Sequence, residues 1–187
     1  MLWRLAFDVL GQVHRAAPRS HLKPLFVCGL VLGSVCAVVC GRLGMSRRAG
    51  ALGGLAGWAL AVAVSLTLFR AGDQTGTLGA CAVTVPAVLS GDGLANLALF
   101  APAAFLAVLA IGRPGLVALG VAAASVVIEG LQAALAVGVC DSSDALLNTV
   151  GGLTAALAAA LVRSGLARWH RLAGTSVSGS MPCRRSC

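Results

Sequence analysis

The sequence predicts an all-α protein, a polytopic bundle of about five transmembrane spans. Three observations predict it. The 187 residues, enough for one domain, are 58% hydrophobic and only 11% charged, with a mean hydropathy of +0.93. Apolar runs of about 18 residues or more recur, and at 1.5 Å per residue each can cross a hydrocarbon core of ~30 Å. The charged residues fall mostly between those runs, as positive-inside bias requires of loops. The same placement argues against a nucleic-acid partner, despite a net charge of +8. An outer-membrane barrel would show short alternating segments rich in aromatics. Here the runs are continuous and Tyr is absent.

Residues 1–21 alternate Leu2, Trp3, Phe7, Leu10 and Val13 with Arg4, Asp8, His14, Arg15 and Arg19. That helical spacing suits an interfacial amphipathic segment, and a frayed terminus is the plain alternative. Residues 22–41 are the N-terminal span. A basic start before an apolar run also fits a signal peptide, but no small-x-small pattern follows, so cleavage is not expected. Cys28, Cys36 and Cys40 read as small packing residues of this span. After a basic loop, the second span covers 52–69 and a Gly-rich polar connection covers 70–93. The third span, 94–111, carries Asn96 and then Pro102, which must kink the helix or strand a carbonyl. A Gly-Arg-Pro-Gly turn leads to a fourth span at 116–139 and, after a short loop, a fifth at 145–162. The remainder, 163–187, reads as a basic disordered tail.

Orientation follows from the basic residues. Arg42, Arg47, Arg48, Arg113 and the five arginines of the tail share one side, against Arg4, Arg15, Arg19, Lys23 and Arg70 on the other. The larger group belongs inside, which puts the N-terminus outside and the tail in the cytoplasm. Cys81 and Cys140 then both lie in extracytoplasmic loops and are expected to form a disulfide, with two free thiols as the alternative.

The chemistry-bearing stretch is 125–152. Of six acidic residues in the chain, Glu129, Asp141 and Asp144 lie here. Glu129 sits deep in an apolar run, and an intramembrane acid is a functional candidate by default. Ser125, Glu129 and Gln132, at i, i+4 and i+7, share one helix stripe; Asp144, Asn148 and Gly151 make a second stripe on the next helix. The short connection makes those helices antiparallel neighbours, so the stripes can bound a polar notch opening toward the outer leaflet. Glu129 lies about nine residues, or ~13 Å, from the loop. Each residue also has a bland role. Glu129 could be interhelical glue to Asn96, Asn148 or Gln132; Asp141 and Asp144 could cap the last helix; Asn148 could bond across helices. Gly151 and Gly152 read chiefly as helix-packing positions. No His or Cys has ligand spacing, so no metal or cofactor is expected.

The order Asn96, Phe100, Pro102; Ser125, Glu129, Gln132; Asp141, Asp144, Asn148, Thr149, Gly151 resembles the VanZ-like integral membrane proteins, a family named for a protein associated with low-level teicoplanin resistance. The resemblance covers residues 52–162, the expected core, and Ser65–Phe69 is similar to the family's first core helix end. It departs where members often carry Arg (here Gly138), Gly (Ala104) and Pro (Arg70). Without that arginine the resemblance gives no support to an anion contact. It implies membrane location, a helical core and a link to glycopeptide tolerance, but no reaction. The partners it implies, beyond the bilayer, are a lipid-linked envelope precursor or a glycopeptide. A non-enzymatic envelope protein is the favoured expectation. The alternatives are a membrane enzyme acting on polyprenyl-linked precursors, with Glu129 as general base and a divalent cation on Asp141 and Asp144, or a small proton-coupled transporter. The oligomeric state is open.

Overall fold

The computed structural model describes residues 19–68, 80–136 and 140–175. The interfacial segment up to residue 18, Arg70, Asp73, Gly138 and the cysteines at 183 and 187 lie outside these. Within the described residues the elements are α1 (Arg19–Arg42), α2 (Arg47–Leu68), β1 (Cys81–Ala82), α3 (Gly91–Leu99), α4 (Ala101–Ile111), α5 (Pro114–Leu135), β2 (Cys140–Asp141) and α6 (Ser142–Thr175). α2, the α3–α4 pair, α5 and α6 are each long and apolar enough to cross a membrane; α1 adds a shorter apolar stretch at Val27–Arg42. The predicted all-α membrane bundle is the fold found.

α1 and α2 form a hairpin whose contact depends on absent side chains. A Cβ on Gly33 would stand 2.8 Å from the Gly54 carbonyl, and Cys36 and Cys40 of α1 fill the space over Gly57 and Gly53 of α2. Two of the three early cysteines therefore pack as expected; Cys28 is exposed instead. α2 lies against α4, while α6 touches α3, α4 and α5 and so occupies the middle of the bundle. The core is Ala63, Phe100, Ala104, Val108, Val117, Val121, Ile128, Ala156 and Ala159. Outward-facing positions are equally apolar: Leu119, Val126, Val127, Leu135, Leu157 and Leu161 are all exposed. Such a surface suits acyl chains as solvent.

Pro102 has its predicted effect. The third span breaks at Phe100, and the Phe100 N–H turns onto the Ala98 carbonyl, which Pro102 deprives of its usual i+4 donor. Ser90 starts α3 by accepting from the Gly93 N–H, three residues earlier than expected. At the turn between α4 and α5 Gly112 takes the left-handed conformation, and Arg163 Nη1 donates to the Leu109 carbonyl at 2.8 Å, capping α4 with a cation.

Two helix C-termini differ from expectation by more than one residue. α5 stops at Leu135, not 139, because Ala136 turns left-handed (φ 52°) and closes the helix on Gln132. The residues freed by that stop return over the helix end, where Cys140 and Asp141 pair in parallel with Cys81 and Ala82. This small ladder has no alternating pattern long enough to read in the sequence. Finally, α6 runs past 162 to Thr175, since Leu, Ala and Arg continue with no proline to end the helix.

Candidate functional site

The site is built on the α5–α6 pair. Gly152 lies against the side chain of Val121, so small and branched residues interlock there. The helices run antiparallel, and each turn back along α6 meets a turn forward along α5. Asn148 therefore comes level with Ser125, and Asp144 with Glu129. Gly151 faces α3, where a Cβ would collide with the Leu97 carbonyl. Both glycines thus act in close packing.

Glu129, Gln132, Ser125, Asn96 and Asn148 are all buried. Glu129 Oε2 accepts the backbone N–H of Asp141 at 2.8 Å, so β2 sits directly on the carboxylate. The notch expected to open outward is covered at this point. Glu129 is also shallower than expected, six residues from the end of α5, or ~9 Å. The charges that act on it are the carboxylates of Asp144 and Asp141.

Asp141 is the node of the covering segment. Its carboxylate accepts from Thr84 Oγ1 at 2.6 and 2.8 Å and from the Ser143 N–H at 2.9 Å, so it caps the start of α6 while anchoring the β1 side. Burial pushes its pKa up, but these hydrogen bonds outweigh burial and hold the carboxyl below the usual carboxylate range. The Cys81–Cys140 disulfide joins the two strands at the same place, as the loop assignment predicted.

The other side chains divide between packing and the site. Asn96 Nδ2 donates to Asp144 Oδ1, tying α3 to α6. Gln132 Nε2 donates to the Thr67 carbonyl in the last turn of α2 at 3.2 Å, while its Oε1 has no partner. Ser125 donates to Val121 of its own helix, so its hydroxyl proton does not cross to α6. Asn148 is 1% exposed and its Oδ1 has no partner. Among the described residues no group of His, Cys, Asp or Glu is placed to hold a metal ion. Sequence reasoning missed Thr84 and Thr67. Thr84 was recoverable only after pairing Cys81 with Cys140, which carries it toward Asp141.

A family model described as VanZ/LLP1 matches residues 50–163, a range that takes in every element of the site. No curated protein and no solved structure matches the chain. The matched range covers more than half of the sequence and nearly coincides with the 52–162 of the earlier resemblance: the chain is a multi-pass membrane protein belonging to the VanZ/LLP1 family.

Proposed function

We propose that this is a non-enzymatic protein of a bacterial-type cytoplasmic membrane that binds a lipid or lipid-linked envelope component at Glu129 and thereby sets glycopeptide tolerance. One observation carries the reading. A carboxylate is held beneath a disulfide-bonded cover, and one level deeper a fully buried amide oxygen, Asn148 Oδ1, is left without a donor. Glue alone would have satisfied that oxygen, because an unpaired buried acceptor costs about 1–3 kcal/mol.

The orientation proposed places the N-terminus and the disulfide-bonded clasp, Cys81–Ala82 with Cys140–Asp141, outside and the C-terminal segment in the cytoplasm. The disulfide supports it, since such bonds persist in oxidising compartments. Arg42, Arg47, Arg48, Arg113 and Arg163 then fall at the opposite end. The enzyme reading has less support. It needs Asp141 and Asp144 to hold a cation, and both carboxylates are engaged, by Thr84 and Ser143 and by Asn96.

The test is Glu129→Gln, whose Oε1 can still accept from Asp141. The variant accumulates and forms its disulfide, loses about 1 kcal/mol of stability or less, and makes the host more susceptible to teicoplanin. Parental susceptibility in the variant would remove Glu129 from the function.

A further inference from the structure

The donors and acceptors of the site do not balance. Four of the donors here are spent within the protein: the Asp141 N–H on Glu129, Asn96 on Asp144, and Thr84 and the Ser143 N–H on Asp141. Surplus acceptors remain, namely Gln132 Oε1 and Asn148 Oδ1, and neither is reached by water from outside. The Gln132 assignment is fixed by chemistry, because its other terminal atom faces the Thr67 carbonyl and must be the NH2. Side chains lean toward the N-terminus of their own helix. In an antiparallel pair, Gln132 therefore leans down and Asn148 up, both toward the level of Glu129 and Asp144.

Charge points the same way. Residues 71–112 and 116–162 contain no Lys, Arg or His, so nothing in them offers a cation to Glu129. The acids Asp92, Asp141 and Asp144 share its end of the bundle. A phosphate or carboxylate ligand would meet repulsion from these acids. A simple metal ion lacks a ligand group among the described residues.

We infer that the α5–α6 site takes the protonated primary amine of an amphiphilic molecule, its N–H donors held by Glu129 and the Asn148 oxygen, with Gln132 one turn nearer the surface. This deepens the envelope-binding reading and rests on it. The ammonium group supplies three donors and one positive charge, which matches a buried carboxylate beside unpaired amide oxygens. Its alkyl part would lie against the apolar outer faces of α5 and α6, where Val126, Val127 and Leu146 are exposed.

The probe is dodecylamine, measured by equilibrium binding to the full oxidised chain in lipid nanodiscs, with empty discs subtracted. Dodecyltrimethylammonium, which keeps the charge but has no N–H, and dodecyl phosphate are the comparison ligands. Saturable amine binding is expected, weakened roughly tenfold or more in the trimethylated ligand, with no competition from the phosphate. Glu129→Gln and Asn148→Leu should each lose binding to a similar degree. Asn148→Leu also removes an unpaired buried oxygen, so its melting temperature should hold or rise, which separates lost binding from lost folding. Absence of saturable amine binding, equal binding of the trimethylated ligand, competition by the phosphate, or full binding by Asn148→Leu would each overturn the inference. A Glu129→Gln variant with parental teicoplanin susceptibility would instead sink the functional reading, whatever the amine does.

Discussion

At the scale of single residues, the polar side chains of α5 and α6 were legible because helical spacing alone puts Ser125, Glu129 and Gln132 in one stripe. Their partners were not. Thr84 reaches Asp141 across 57 residues and Gln132 reaches Thr67 across 65, separations that no local pattern encodes. Asp141 shows what such a contact does. Its carboxyl is held below the ordinary value of 3.8, so the folded chain binds its proton less readily than the unfolded chain does. The stabilisation is fully present above that value and is lost as pH falls through the lower, folded-state value. Reduction of Cys81–Cys140 by a phosphine, which works in acid, should therefore accelerate as pH drops below about 4. In Thr84→Val, which removes the hydroxyl that donates to Asp141, the acceleration should begin at higher pH. An identical profile in parent and variant would show that Thr84 does not set the Asp141 proton affinity.

At the scale of elements, the number and order of apolar helices could be read from run length, and the break in the third span from Pro102. Helix ends could not. Ala136 stops α5 in a conformation that alanine seldom adopts, so the sequence carries no glycine to announce it. That early stop is what returns Asp141 to the top of Glu129. Close packing is more predictable, because it depends on the missing Cβ. Gly151→Ala would drive a methyl into the Leu97 carbonyl and should destabilise the protein by about 1–3 kcal/mol, as overpacking does. Gly120→Ala meets nothing within 4 Å and should be neutral or stabilising by up to about 1 kcal/mol. Thermal unfolding of both variants in detergent checks the pair; equal melting temperatures would contradict the α3–α6 contact.

At the scale of the whole molecule, the chain is a bundle with unlike ends. One end carries the disulfide, the small ladder and Asp92, Asp141 and Asp144; the other carries Arg42, Arg47, Arg48, Arg113 and Arg163. Basic-residue bias made this polarity readable, and it also led to the disulfide. It could not show that the clasp closes over the notch, since that depends on where α5 ends. The central claim is that closure: Glu129 is sheltered from water by the Cys140–Asp141 segment while the disulfide is intact. Water-soluble carbodiimide with a small amine nucleophile, followed by peptide mass spectrometry, measures it against the exposed Asp92 in the same molecule. The account predicts that Asp92 is modified and Glu129 is spared in the oxidised protein, and that Glu129 becomes reactive when both cysteines are replaced by serine. Modification of Glu129 as fast as Asp92 with the disulfide in place would contradict it.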